Sequence, residues 1–538
     1  MIAPSNPAAV IVLAAGEGKR MKSRTPKMLH EIGGLSLVGH ATAVGRALAP
    51  KHLVVVVGHG REQVVPHLAG IDDAAQPVVQ EEQRGTGHAV RTALEALPAL
   101  DGTIVVTYGD APLLTETTLR AMLVAHHESS AAATVLTAVV PDPAGYGRIL
   151  RGQDGTIAAI VEHRDATPDQ RQVAEINSGI YAFDAGDLGG ALAQVKTDNS
   201  QGEEYLTDVL GILRDEGKRV GAFVVDDHTE ILGVNDRAQL AELGRILNDR
   251  LLRALMLAGV TVVDPATTWV DVGVSVEPDV ILHPHTQLRG TTSVRAGAEI
   301  GPEVTLTDTT VGADAHVVRT HGQGAEIGPG ANVGPFAYLR PGTKLGAGGK
   351  IGTFVETKNA DIAPGAKVPH LTYVGDATIG EGTNIGAGTI FANYDGVHKY
   401  HTDVGRHVFV GSDSVLVAPR TIADGAYVAA GSTVVKDIEP GELAVARGLQ
   451  RNIAGWVARK RAGTKTAAAA AEAQAAAARG GSAGEPGAWP GAGTETGAGP
   501  GAEGADSQDP APRDTARSGT DPSDTAPGDT GTAGRGRE

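Results

Sequence analysis

At 538 residues the chain is longer than one hydrophobic core normally serves, so two folded domains are the starting expectation. Its 46 basic and 63 acidic residues give a formal net charge of -17, which argues against nucleic acid as the main partner; small anions remain open, because a local group of cations overrides the global field. The absence of cysteine excludes disulfides, thiolate metal sites and a cysteine nucleophile.

The opening MIAPSNPAAVIVLAAG has no basic segment before its apolar run, and GEGKRM follows directly, so it reads as a buried strand rather than a secretion signal. No stretch approaches the roughly 18–20 apolar residues of a membrane span, and a cytoplasmic location is expected, with no membrane and no nucleic acid as partner. From Val10 to about Val234, short β-branched runs (Val10 to Leu13, Leu53 to Val57, Ile104 to Thr107, Thr134 to Val139, Ala222 to Val225) alternate with Ala/Leu-rich helical stretches. That alternation predicts an α/β domain around a mainly parallel sheet. After its first strand, Leu13-Ala-Ala-Gly-Glu-Gly-Lys-Arg-Met21 sets small residues at a turn, and Arg20 and Lys27 add cations suited to a polyphosphate. The loop is neither a dinucleotide fingerprint, since Met21 stands at the third glycine position, nor a P-loop, since Arg20 follows Gly18-Lys19. An ordinary glycine turn therefore remains open at this point.

The helical spacing of Leu240, Leu243, Ile246, Leu247, Leu251 and Leu255 predicts a connecting helix over Asp236 to Leu257. Beyond it the period becomes six: Val276 to Leu306, Ile327 to Ile351 and Val404 to Val434 each form a ladder of aliphatics. A triangular coil that turns a corner every six residues explains a strict six, with each aliphatic pointing inward, and the region holds about nine coils. The phase breaks near His316 to Gly324, Thr353 to Asp361 and Asn393 to Thr402, and these insertions are expected to emerge as loops. From about Gly463 the composition is Ala, Gly, Pro, Thr and Asp with one aromatic, Trp489, which cannot offset its ordering entropy; disorder is expected there, with a transient helix at TAAAAAEAQAAAAR.

Longer motifs narrow the reading. The first loop, Thr25-Pro-Lys27, Gln80-Glu-Glu-Gln83-Arg-Gly-Thr86-Gly-His and Tyr108-Gly-Asp110 together resemble sugar-1-phosphate nucleotidyltransferases. Ile351-Gly-Thr-Phe-Val-Glu-Thr-Lys358, His370-Leu-Thr-Tyr373, Asn384-Ile-Gly-Ala-Gly-Thr and Ala392-Asn-Tyr-Asp-Gly396 extend the resemblance to the bifunctional N-acetylglucosamine-1-phosphate uridyltransferase/glucosamine-1-phosphate acetyltransferase family, over roughly Ala9 to Trp456. The resemblance implies a Rossmann-like α/β nucleotidyltransferase domain (1–234), a linker helix (235–257), a left-handed parallel β-helix of hexapeptide repeats (258–461) and a disordered tail (462–538). It further implies acetyl transfer from acetyl-CoA to glucosamine 1-phosphate, then uridylyl transfer from UTP to N-acetylglucosamine 1-phosphate, supplying peptidoglycan and cell-envelope precursors, with homotrimers whose acetyl-CoA sites lie between subunits.

Residue by residue, the resemblance gives Leu13, Ala14, Ala15, Gly16, Lys27, Gln80, Gln83, Gly85 and Thr86 to the UTP pocket, Gly147, Glu162 and Asn177 to its N-acetylglucosamine end, and Asn235 to the UTP/UDP-N-acetylglucosamine site as a whole. Asp110 and Asn235 match Mg²⁺ ligands, and Arg20 and Lys27 are the catalytic cations. In the second half Arg340, Lys358, Tyr373 and Asn384 match the glucosamine 1-phosphate contacts, and Ala387, Asn393, Tyr394, Ser412, Ala430 and Arg447 the acetyl-CoA groove. A lone histidine is commonly structural; the matched motif makes His370 the general base, because a protonated amine must lose a proton to attack a thioester and imidazole has the right range. Glu356 is expected to orient or tune it. Two alternatives are a single-activity nucleotidyltransferase with a regulatory β-helix, opposed by His370 and the Asn393-Tyr394-Asp395 loop, and a non-enzymatic scaffold, opposed by Lys27, Asp110, Asn235 and His370.

Overall fold

The computed structural model describes residues 6–153, 155–199 and 201–479. The expectation of disorder over 480–538 lies outside the described residues. In the first half a nine-stranded sheet runs in the order Val220–Val224, Ala133–Val139, Glu175–Asp184, Thr103–Tyr108, Ala9–Ala14, His52–Val57, Gln76–Val79, with the hairpin Arg148–Arg151/Ile157–Val161 attached to Glu175–Asp184. All six residues of Ala9–Ala14 are buried, and they alternate between two cores: Ala9, Ile11 and Leu13 face one layer of helices, Val10, Val12 and Ala14 the other. A strand covered on both faces has no polar alternation, which is why it reads as one apolar run.

Six of the expected features sit where the periodicity put them, with ends shifted by a residue or two. The sheet is mainly parallel, as expected, but Glu175–Asp184 runs antiparallel to both neighbours, with Tyr181 opposite Val106 and Val135. This reversal brings its first residues, Asn177 among them, to the edge where the parallel strands end. The helix Arg237–Leu257 is capped by Asp236, whose carboxylate accepts from the backbone N–H groups of Ala238 and Gln239 at 2.9 Å each.

From Thr261 the chain winds into a left-handed parallel β-helix. Eleven short strands stack on one face, and seventeen make up the other two, which merge where Glu356–Ile362 and Tyr373–Ile379 bend around a corner. Every residue of the second and third aliphatic ladders is buried in the bore. The stack exceeds the nine coils expected, because the stretches between the ladders are also coils, of hidden phase. Most of the early coils repeat at eighteen residues (Trp269 pairs with Gln287), but Thr305 pairs with His321, sixteen on, and Glu356 with Tyr373, seventeen on. The breaks near His316 to Gly324 and Thr353 to Asp361 are therefore shortened coils that stay in the wall, not emerging loops. Only Asn393 to Thr402 protrudes: Ala377 pairs with Thr402, twenty-five on, and the extra residues form a small hairpin closed by a Tyr394–Lys399 bridge.

The residues from Leu449 form a separate unit containing helices Trp456–Lys460 and Lys465–Arg479. The second is a fifteen-residue helix over the alanine-rich segment for which a transient helix was expected; alanine has the highest helix propensity, and this segment is mostly alanine. Among the described residues no helix is long and apolar enough to cross a membrane.

Candidate active sites

Two adjoining pockets open where the parallel strands end, the usual ligand position of an open α/β sheet. The first is lined by Leu13, Ala15, Gly16, Lys27, Gln80, Gln83, Gly85, Thr86 and Asp110, with Tyr108 and Glu203. The second is lined by Gly147, Glu162, Asn177 and Asn235, with Tyr146 and Gly179, and the two share Tyr108 and Asp110. Ala14 is buried in the sheet and lines neither. Arg20 stands outside both but donates to Asn235 Oδ1 at 2.8 Å.

Local backbone demands explain the arrangement. Gly18 has φ +64°, and a Cβ there would stand 2.6 Å from Lys27 Cβ, so only glycine lets the loop fold down on Lys27. Lys27 Nζ pairs with Asp110 Oδ2 and lies 3.5 Å from Asn235 Oδ1. The Asn235 segment is tied to this point by Val234 N–H donating to the Asp110 carbonyl (2.9 Å) and Asn235 N–H donating to Gln239 Oε1 (2.8 Å). Gln80 is buried and donates to the Gly85 carbonyl at 3.2 Å; Gln83 donates to the Ala15 carbonyl at 3.3 Å. Both amides thus brace the walls of the first pocket.

In the second pocket burial, with Asp165 and Asp208 nearby, raises the Glu162 carboxyl above its ordinary range. Burial likewise raises the Tyr146 and Tyr108 phenols, with Asp110 adding to both, so each remains a hydrogen-bond donor. Neutral donors and acceptors around a carboxyl suit a polyol. Asp110 and Asn235 offer two oxygens at one point, which fits a hard divalent cation. Among the described residues no group of three or more His, Cys, Asp or Glu forms a closed metal cage, so phosphate and water oxygens would complete the shell.

On the β-helix, His370 closes the strand Lys367–His370 opposite Thr353, and its carbonyl accepts from the Gly388 N–H at 3.3 Å. Asp413 N–H donates to the Ala387 carbonyl (2.7 Å) and Gly431 N–H to that of Ser412 (2.8 Å). His370, Ala387, Ser412 and Ala430 each follow an inward aliphatic (Val368, Ile385, Val410, Val428) by two residues, and so form a column along one edge of the prism. Arg447 follows Ala444 at the next coil. Arg340, Lys358 and Tyr373 gather on the adjoining face; Asn384 is on the His370 face instead. Glu356 is committed to Arg340, Nη1 to Oε1 at 2.9 Å, and has no contact with His370. Glu356 was expected to orient or tune His370, whereas the coil register sets it beside Arg340. Lys399, on the protruding loop, lies against Lys358; this contact, with Lys399's charge and that of Arg340, lowers the Lys358 ammonium below its ordinary range.

The model of a MobA-like NTP transferase domain matches residues 10–173. The bifunctional protein GlmU of Streptomyces avermitilis is 63% identical over 466 residues, covering 86% of this chain and 97% of its own length. The chain belongs to the bifunctional GlmU family. Further members from Thermobifida fusca (58% over 475 residues) and Corynebacterium efficiens (56% over 481 residues) each cover 88% of the chain and 98% of their own.

Several residues of this GlmU-family chain were missed from sequence. The backbone of Glu204 packs on Gly85, where a Cβ would stand 2.5 Å from the Glu204 carbonyl, which also accepts from the Gly87 N–H at 2.8 Å. The Gly-Thr-Gly spacing at 85–87 was the one sign of such an approach. Tyr108, wedged against Gly179 between the pockets, stood in a quoted motif without a role. Lys399 carried no signal, because the register across the insertion is invisible until the coil is built.

Proposed function

We propose that the chain makes UDP-N-acetylglucosamine by two successive transfers: acetylation of glucosamine 1-phosphate by acetyl-CoA, then uridylyl transfer from UTP to N-acetylglucosamine 1-phosphate with release of pyrophosphate. The observation that carries this is the meeting of Lys27, Asp110 and Asn235 at the seam of two pockets, one walled by the amides and glycines suited to a nucleotide, the other by Glu162 and Asn177 suited to a sugar. The product supplies peptidoglycan and envelope precursors in the cytoplasm.

In uridylyl transfer a phosphate oxygen of the sugar phosphate attacks the α-phosphorus of UTP; the new O–P bond forms opposite the bridging bond that breaks, and pyrophosphate leaves with that electron pair. No side chain need take a proton. Lys27 and Arg20 neutralise phosphate charge, Gln80, Gln83 and the backbone of Leu13 to Gly16, Gly85 and Thr86 hold uridine, and Gly147, Glu162 and Asn177 orient the sugar. Mg²⁺, held by Asp110 and Asn235, would supply further charge neutralisation and phosphate alignment.

In acetyl transfer the glucosamine nitrogen attacks the thioester carbonyl while His370 takes a proton from that nitrogen; the C–S bond then breaks and the CoA sulfur leaves with the pair. The Ala387 N–H faces the oxyanion. Arg340, Lys358, Tyr373 and Asn384 hold the sugar phosphate, and Asn393, Tyr394, Ser412, Ala430 and Arg447 the acetyl-CoA, at sites between the subunits of a homotrimer. Residues 1–234 serve uridylyl transfer and 258–461 acetyl transfer, joined by the helix within 235–257.

The test separates the halves. Lys27→Ala or Asp110→Ala should abolish pyrophosphate release and spare CoA release, and His370→Ala should lower acetyl-transfer kcat by about 10²–10⁴ while sparing pyrophosphate release. Wild-type pyrophosphate release from either first variant, or unchanged acetylation by the last, overturns the corresponding assignment.

A further inference from the structure

We propose that Asp376 is a positioning residue for acetyl transfer, fixing the root of the protruding loop so that Asn393 and Tyr394 meet acetyl-CoA beside the sugar-phosphate cations. The proposal rests on the acetyl-transfer reading above.

Asp376 stands at a corner of the prism one coil after Asn359, and both have left-handed backbone, φ +48° and +44°. Short polar side chains that bond locally are the non-glycine residues that best tolerate this region. The next residue, Ala377, pairs with Thr402, so Asp376 sits directly under the place where the extra residues enter the coil. Its two carboxylate oxygens take different partners: Oδ1 accepts from Asn359 Nδ2 at 2.9 Å, and Oδ2 accepts from Asn393 Nδ2 at 2.5 Å. Asn393 is buried, and its amide nitrogen and the Tyr373 hydroxyl both crowd the space above Gly375, where a Cβ would collide with each. One carboxylate therefore joins the wall of the coil to the loop that carries Asn393, Tyr394 and Lys399.

The charges agree with the geometry. Burial alone would favour the neutral acid, but Asn359, Asn393, Lys358 and Lys399 outweigh it and hold the Asp376 carboxyl below its ordinary range. As an anion it also offsets the repulsion between Lys358 and Lys399, the two cations that face it. Asparagine at 376 would keep the shape but turn an amide toward one of its two donors, losing that bond and the charge.

The experiment uses the full chain, with CoA release for acetyl transfer and pyrophosphate release as a control for folding. Asp376→Asn should raise KM for acetyl-CoA about tenfold, the loss of one charge-assisted hydrogen bond, with kcat nearly unchanged and pyrophosphate release untouched. Asn393→Ala should raise the same KM, and adding Asp376→Asn to it should have no further effect. The exchange Asp376→Asn with Asn393→Asp restores a donor facing an acceptor and should recover most of the loss. An unchanged KM in Asp376→Asn, or effects that multiply in the double variant, overturns the proposal. If Asp376→Asn also loses pyrophosphate release, Asn393→Asp alone, which sets two carboxylates face to face, must raise KM for acetyl-CoA; no change there overturns it equally. Wild-type protein that releases no CoA with glucosamine 1-phosphate would instead overturn the underlying reading.

Discussion

Replacing Gly18 by alanine tests how tightly the phosphate loop governs Lys27. The new Cβ would lie 2.6 Å from Lys27 Cβ, against about 3.5 Å for carbon atoms in ordinary contact, so the loop and Lys27 must part by about 1 Å. The backbone at φ +64° adds roughly 1–2 kcal/mol of strain for any residue with a Cβ. A displacement of about 1 Å in a charge-positioning group costs on the order of 10² in rate, near 2.7 kcal/mol of barrier. Pyrophosphate release by Gly18→Ala should therefore fall about a hundredfold in kcat while CoA release, on the β-helix, stays at the wild-type rate. Pyrophosphate release within about threefold of wild type would refute the reasoning, since it would mean that Lys27 tolerates that displacement or does not act in the slow step.

A β-helix fragment should begin at Asp236, keeping the whole helix Arg237–Leu257, and not inside that helix at Leu251. Buried Asn248 donates to the Thr268 carbonyl (2.9 Å) and accepts from the Val270 N–H (3.0 Å), and Arg245 lies 4.3 Å over the Trp269 ring, so the helix caps the first coil. The longer fragment should trimerise and acetylate, and the shorter one should unfold about 1–3 kcal/mol more easily; equal urea midpoints would refute this. A chain ending at Arg461 should keep both activities, and a large loss of either would show that the Ala- and Gly-rich extension has a role. Thermal stability should fall as pH drops from about 6.5 toward 4, because burial pushes the His126 imidazole down to about 4. The ring stays neutral in the fold while the unfolded chain takes a proton near 6.5, so its contribution, at most about 3 kcal/mol, is complete above 6.5 and lost on acidification. His126→Gln should flatten that part of the melting-temperature profile, and an unchanged slope would exclude His126 as its source.

The sequence disclosed most where a single physical rule dominates. Bore-facing aliphatics six apart can satisfy only a three-sided coil, and Leu345, Ile385 and Leu416 are buried accordingly. It disclosed less where two rules trade off. Glu175–Asp184 is as apolar in Ile180 to Phe183 as the two strands beside it, and direction leaves no trace in composition, so its reversal was hidden. Coils of sixteen and seventeen residues were taken for insertions, since loss of one residue disturbs phase as much as gain. At the sites, several motif residues, among them Asp110 just after Thr103–Tyr108 and His370 closing Lys367–His370, lie at strand ends, which the periodicity marks. Contacts across coils, such as Glu356 with Arg340 and Lys399 with Lys358, depend on register and appear only once the prism is wound.

The column His370, Ala387, Ser412, Ala430 turns the solenoid into a measuring rod. Neighbouring coils are spaced as strands in a sheet, about 4.8 Å, so the column from His370 to Ala430 spans three steps, or roughly 14 Å, with Arg447 one step further. Under the acetyl-CoA assignment proposed above, the distance between the reacting carbonyl and the far end of its carrier would be set by how many turns of backbone separate their contacts. Adding one complete coil between His370 and Arg447 would shift that length in a single quantum of about 4.8 Å. Such a wall evolves its reach in whole turns, and point substitutions can adjust affinity along it without altering its length.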